Sequence, residues 1–283
     1  MTELSLFSSY LVSVGRSPLT AKAYAYEMTG FAEWFKFSTG TEWDGKALYR
    51  ANCIDYKGYL VTIKNRQAVS VNKALSAFRS YTEFLQSCGY EQNEVIMRKD
   101  YVRIQSTGAS LAKADEHDVR RFIQAVLEHE SLRDYTLVVL LAMTGLRISE
   151  ALNIRKEDCN ITAREIIVRS GKKGKQRIAY MSDKLVNALT EYERQYQTTV
   201  YLFESRLGNK LDRTCVNRVF NRHSDVITPH QLRHYFCTQA IKPESGMSVN
   251  EVAALAGHTN IHTTLRYMNP TKDKLIQKLN NIQ

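Results

Sequence analysis

Five short stretches in the later part of this 283-residue chain carry side chains able to do chemistry, each weak when taken singly. Thr144-Gly145-Leu146-Arg147-Ile148-Ser149-Glu150 sets an arginine just after the glycine that ends an apolar run, at the edge of a core and facing a cleft. Glu150 follows one helical turn later and can hold the guanidinium in one orientation. The plain alternative is a surface pair three apart, worth roughly a few tenths of a kcal/mol. Arg169-Ser-Gly-Lys172-Lys173-Gly-Lys175-Gln-Arg177 gathers five cations in nine residues around a flexible turn, which suits delivery of a lysine to a polyanion or merely a solvated hairpin tip. A phosphate-cradling loop is disfavoured there, because no GxxxxGK[ST] occurs and the segment sits between strands. In Thr228-Pro229-His230-Gln231-Leu232-Arg233-His234 the proline starts a helix. His230 and Arg233 then lie one turn apart on one face near its N-terminus, where a phosphate is favoured; otherwise His230 caps or packs locally. The last two are His258, in Ala256-Gly257-His258, and Tyr267, in Thr263-Thr-Leu-Arg-Tyr267. One tyrosine among 16 is ordinarily a core or interface residue, and this one gains meaning only beside the other four.

Zinc is the competing chemistry. His230/His234 and His258/His262 are spaced i, i+4, as helical metal ligands are. No glutamate follows the first histidine as a metalloprotease helix would have it, and Arg233 would put a cation within the ligand shell. We therefore expect no metal and no cofactor.

The elements that must position these groups follow from hydrophobic period. Residues 1–104 read as helices with tight connections and 105–112 as a linker, opened by the small polar run Gln105-Ser-Thr-Gly-Ala-Ser110. Within the first segment, Tyr24, Met28, Phe31, Trp34 and Phe35 fall at helical spacing, as do Leu75, Phe78, Tyr81, Phe84 and Leu85; both stripes predict a bundle core. Lys22, Lys64, Arg66, Lys73 and Arg79 fall on the polar faces, where they line a groove or are simply solvated. In residues 113–283, Asp115 reads as a cap before Val119, Phe122, Ile123 and Val126, and the apolar run Leu137–Met143 precedes a helix over 147–153. A hairpin is predicted from Glu165–Ser170 and Gln176–Met181 around a Gly171–Gly174 turn. The rest reads as mostly helical, so the second domain is helical with a small antiparallel sheet.

Composition narrows the partners. The net charge of +10 is split unevenly: residues 1–110 hold 13 basic and 10 acidic side chains, and residues 111–283 hold 26 and 19. That balance suits a phosphate-backbone partner. No apolar stretch is long enough to span a bilayer, and Met1-Thr-Glu-Leu lacks the start of a signal peptide. Five scattered cysteines form no CxxC pair, which points to reduced thiols and a cytoplasmic protein without a membrane partner.

Taken in order, Arg…Lys…His-x-x-Arg…His…Tyr is where a family resemblance emerges. Thr144–Leu152, Thr228–Ala240 and Ala256–Asn269 resemble the three catalytic boxes of the tyrosine site-specific recombinases, the phage-integrase-like family; Leu19–Phe35 is similar to the start of that family's core-binding domain. The resemblance implies an N-terminal helical, SAM-like core-binding domain and a catalytic domain that together form a C-shaped clamp on double-stranded DNA. It also implies that Arg147, Lys172, His230, Arg233 and His258 surround a scissile phosphate that Tyr267 attacks, with Glu150 in support. The implied activity is metal- and ATP-independent strand exchange through a 3′-phosphotyrosine. Lys173 stands beside Lys172 where the family more often has Gly-Lys-Gly, so either lysine could be the general acid. Ala256 replaces a usual leucine, and Lys242–Val249 is slightly long.

Expected DNA contacts are Lys173, Lys175, Arg177, Arg218, Arg222, Lys73 and Arg79. Asn269-Pro270 should open a terminal helix with Leu275, Leu279 and Ile282 on one stripe. In the resembled family such a helix docks on a neighbouring protomer, giving a dimer on one site and a tetramer in the synapse. A short chain without a large arm-binding domain points to resolution of transposon cointegrates or replicon dimers. The alternatives are an integrase-excisionase, a type IB topoisomerase and a non-catalytic DNA-binding regulator.

Overall fold

The computed structural model describes residues 3–103, 115–169, 176–257 and 264. The chain divides at Ser106/Thr107 into two separately packed units. The first holds α1 (Glu3–Ser13), α2 (Pro18–Thr39), α3 (Arg50–Thr62) and α4 (Ala68–Ser87). Ser17 caps α2 by accepting from the Thr20 N–H at 3.1 Å, and Pro18 follows at the first turn, where its missing N–H costs nothing. The two stripes meet as expected. Met28 and Phe31 are buried, Tyr24, Trp34 and Phe35 pack against the same core, and all five positions of α4 are buried. Phe31 is the hub, edge-on to Trp43, Tyr56 and Phe78 with ring centroids 5.0 to 5.5 Å apart.

Polar side chains tie the unit's connections. Arg50 and Asp100 pair through two bonds of 2.6 and 2.7 Å, and Asp100 also accepts from the Met97 N–H. The Arg50 guanidinium first, then the Met97 N–H, outweigh the opposing effect of burial and hold the Asp100 carboxyl down at about 2. Glu27, 3% exposed, takes Arg66 at 2.7 Å and Lys73 at 2.8 Å.

In the second unit α5 (Glu116–His129) begins where Asp115 accepts from the Asp118 N–H at 2.7 Å, the cap read from the sequence. Then come α6 (Leu132–Thr144), the single turn α7 (Ile148–Ala151), β1 (Cys159–Asn160), β2 (Glu165–Arg169), β3 (Gln176–Tyr180), α8 (Asp183–Gln195), α9 (Arg213–His223), α10 (Pro229–Ala240) and α11 (Val249–Ala256). α6 is apolar on nearly every side because α5, α8 and α10 pack around it. The sheet is antiparallel in the order β1-β2-β3, with Ile166 opposite Ala179 and Val168 opposite Arg177. Alternation buries Ile166 and Val168 and leaves Ile167 outside, as a one-sided sheet requires. The chain is thus mostly helical with a three-stranded antiparallel sheet, one strand more than the predicted hairpin. No helix among the described residues is long and apolar enough to cross a membrane.

Candidate active site

α6 ends at Gly145 in the left-handed conformation, φ +61°. Any side chain there would be strained, and a Cβ would stand 2.3 Å from a ring carbon of Phe236. The tight stop does two things. It turns the Gly145 carbonyl toward α10, where it accepts from Arg233 Nη1 at 2.6 Å. It also starts α7 immediately, with Arg147 at its N-cap.

Glu150 closes that turn from inside. One carboxylate oxygen accepts from the Arg147 backbone N–H at 2.8 Å and the other from the Arg147 guanidinium at 2.9 Å. Arg177, reaching from β3, brings a second guanidinium to the same carboxylate at 2.9 and 3.3 Å. Burial pushes the Glu150 acid upward, but Arg177 and then the Arg147 N–H more than offset it, so the carboxyl lies below its usual range. The expectation that Glu150 fixes Arg147 matches this geometry, with a second arginine that the sequence reading assigned to DNA.

α10 begins at Thr228, whose hydroxyl accepts from the Gln231 N–H at 3.2 Å, followed by Pro229. His230 and Arg233 therefore share the first turns, as the spacing predicted. Arg233 is only 4% exposed, and its Nη2 is buried with no hydrogen-bond partner among the described residues. Burial, followed by the Arg147 charge, lowers the pKa of this guanidinium. A desolvated cation with an unfilled donor is costly unless an anion completes it. His230 is likewise held below the usual imidazole range, by desolvation first and then by Arg233 and Arg147. Its Nε2 is 2.8 Å from Nε2 of His234, which burial, His230 and Arg233 together push down to about 4. Two nitrogens at that separation share one hydrogen bond, closer than the roughly 3.3 Å between two ligands of one tetrahedral zinc.

Arg147, Arg233 and His230 line one cavity of about 530 Å³, open beside the N-terminus of α10. Arg213, Asn217 and Asn221 of α9 line it too, and the sequence reading passed over all three. The signal was there: Val216, Val219 and Phe220 mark the buried face of α9, Arg213 and Asn217 flank it on one side and Arg222 on the other, and Arg218 lies opposite.

The remaining predicted DNA contacts divide. Arg218 is exposed on α9. Arg222 is engaged with Glu130, which also meets His223 at 2.7 Å. Lys73 is bound to Glu27, and Arg79 faces Glu83 at 3.7 Å. Of the hairpin cations, Arg169 is held by Asp158 at 2.6 Å but stays exposed, whereas Arg177 is held by Glu150 and turned inward. Lys172, Lys173, Lys175, His258, Tyr267 and the C-terminal stripe lie outside the described residues. Among the described residues, the one group at metal-ligand spacing is Asp115, His117 and Asp118, which is largely exposed.

Known proteins place the chain. Residues 113–274 match the phage integrase family, and residues 4–89 match the phage integrase N-terminal SAM-like domain. The chain is 44% identical over 281 residues to the TnP I resolvase of Bacillus thuringiensis, covering 96% of this chain and 97% of that one. It is 32% identical to tyrosine recombinase XerA of Pyrococcus furiosus, over 96% and 91% of the two chains. In fold it resembles XerH site-specific recombinase bound to a palindromic difH substrate, with a TM-score of 0.72, 20% identity and coverage of 96% and 84%. With more than half its length inside the family model and relatives of this identity along almost the whole chain, the protein belongs to the phage integrase family of tyrosine site-specific recombinases, enzymes that transfer DNA strands.

Proposed function

We propose that the chain cuts and rejoins double-stranded DNA at a specific site through Tyr267. The observation that carries this reading is the buried Arg233 guanidinium, whose Nη2 has no partner among the described residues, beside Arg147 and His230 at one cavity: an anion site of fixed cations. A phosphodiester under attack concentrates negative charge on its non-bridging oxygens, and preorganised guanidiniums stabilise that charge without reorganising.

In this mechanism the Tyr267 hydroxyl attacks the phosphorus while His230, whose pKa is lowered by desolvation first and then by Arg233 and Arg147, accepts the phenolic proton. His258 donates to a non-bridging oxygen. The P–O5′ bond breaks, and the departing 5′-oxygen takes a proton from Lys172 or Lys173. A 3′-phosphotyrosine and a free 5′-hydroxyl result, so the bond energy is retained, and a 5′-hydroxyl from a second duplex reverses the step. No metal, ATP or other cofactor enters.

Residues 1–104 and 113–283, joined by 105–112, would clamp the duplex, with two protomers on one site and four in the synapse. Resolution of cointegrates or replicon dimers in the cytoplasm is the role we favour, because the relative at 44% identity is named a resolvase. The test uses a duplex that the wild-type protein enriches from a randomised pool, nicked within the bound region. Wild type should form a covalent protein–DNA adduct and Tyr267→Phe none; no wild-type adduct, or one that persists in the variant, overturns the reading. Two such sites in direct repeat on a supercoiled plasmid should then yield two smaller circles. Deleting residues 271–283 should abolish that product while sparing single-site binding.

A further inference from the structure

Arg177 sits where a DNA-binding hairpin would place a phosphate contact, yet it points the other way. Its side chain is 18% exposed, and its guanidinium spends its donors inside the catalytic unit. Two bonds go to the Glu150 carboxylate that orients Arg147. The others are long contacts of 3.4 Å, from Nε to the Leu255 carbonyl and from Nη2 to the Ala256 carbonyl, at the C-terminus of α11. Arg147 reaches the next carbonyl, Gly257, also at 3.4 Å. Two cations thus sit on the last orphan carbonyls of α11, the negative end of its dipole, with His258 next in sequence. Gly257 has no Cβ for a local reason: at φ +67° one would stand 2.6 Å from Arg177 Cζ.

We propose that Arg177 is a positioning residue for strand cleavage, one guanidinium that locks the Glu150–Arg147 pair and the end of α11 before His258 into a single arrangement. The inference rests on the proposed roles of Arg147 and His258. The planar fork is needed, because a lysine offers a point charge and cannot bridge a carboxylate and two carbonyls at once.

The experiment compares wild type, Arg177→Met, Arg177→Lys, Glu150→Gln and the Glu150→Gln/Arg177→Met double variant on the nicked, pool-selected duplex. Affinity and its salt dependence come from gel shifts, the cleavage rate of bound DNA from single-turnover adduct formation, and α11 order from hydrogen exchange over residues 249–257. For Arg177→Met the expected result is affinity within about twofold of wild type, an unchanged salt slope, faster α11 exchange and cleavage slower by about 100-fold. Arg177→Lys should recover only part of the rate, and the double variant should be no slower than its worse single parent. Gly257→Ala, which pushes on the same guanidinium, should share the signature. Gly246→Ala, also at φ +67° but with nothing within 4 Å of the added methyl, should not; the glycine pair carries the test if Arg177→Met fails to fold. An affinity loss of tenfold or more, a salt slope smaller by about one, and unaltered cleavage of bound DNA and α11 exchange would make Arg177 a phosphate contact and overturn the proposal. Absence of any wild-type adduct, with α11 exchange still raised in Arg177→Met, would instead fault the functional reading.

Discussion

Gly145→Ala tests whether the stop of α6 is as constrained as its geometry implies. Two costs add. Holding an L-residue at φ +61° costs about 1–2 kcal/mol. The new methyl carbon would sit 2.3, 2.9 and 3.1 Å from three ring atoms of Phe236. Carbon contacts are comfortable near 3.5–4.0 Å, so the ring must retreat by roughly 1 Å or more. Phe236 packs on the small cluster of Cys237, Ala240, Val252 and Ala256, so its retreat overpacks the junction of α10 and α11 at about 1–3 kcal/mol. The total, about 2–5 kcal/mol, is a large part of what holds a domain together.

Gly208→Ala separates the two costs. Gly208 lies in the same unit at φ +72°, with nothing within 4 Å of the added carbon. It bears the conformational cost and the same loss of unfolded-chain entropy, but no clash. Hydrogen exchange of the α6 and α10 amides reports the free energy of opening this unit directly. We expect Gly145→Ala to destabilise by about 1–3 kcal/mol more than Gly208→Ala, a roughly 5- to 150-fold difference in exchange rates. Because the Gly145 carbonyl is the acceptor for Arg233, adduct formation should fall as well. Equal exchange in the two variants would refute the argument that Phe236 closes this space.

Three further outcomes follow from the same geometry. Asp100→Asn breaks the paired bonds to Arg50 and should destabilise the N-terminal unit by about 2 kcal/mol, read by fluorescence of Trp34 and Trp43, which both lie in that unit. Its carboxyl is held down to about 2, so this contribution is complete above the unfolded carboxylate range and disappears as pH falls through 2; a variant whose deficit is unchanged at pH 2 contradicts the pairing. His234 stays neutral down to about pH 4 in the folded chain, whereas an unfolded imidazole takes its proton near 6.5. The unfolded state therefore binds more protons between those values, stability falls on acidification from pH 6.5 toward 4, and His234→Gln should flatten the urea midpoint across that window. Arg213→Ala, at the rim of the cavity, should lower DNA affinity and reduce the salt slope by about one, while Arg222→Ala, whose guanidinium is engaged with Glu130, should leave the slope nearly intact; the reverse order would reassign the DNA face of α9.

What the sequence disclosed, and what it hid, divides along physical lines. Local rules were legible. The two aromatic stripes, the Asp115 cap and the Thr228-Pro229 start all concern neighbours within a few residues, where period and capping chemistry decide the outcome. Strand β1 escaped because two residues carry no period, and it exists through pairing with Ile166 and Glu165. That Arg147, His230 and Arg233 share one cavity agrees with their reading by type and order, but their electrostatics were not legible. Nothing in Thr-Pro-His-Gln-Leu-Arg-His says that Arg233 is buried on the carbonyl of Gly145, 88 residues earlier. The partners of the cations were hidden for one shared reason: a basic residue in a turn or on a polar face looks solvated until its partner is known. Lys73, Arg169, Arg177 and Arg222 each meet a largely buried carboxylate, at Glu27, Asp158, Glu150 and Glu130. A carboxylate taken out of water must be paired, so the acids select which cations stay at home. Charge counting on this chain therefore takes no account of which cations are already paired, whereas Arg147, Arg213 and Arg233 line one cavity together.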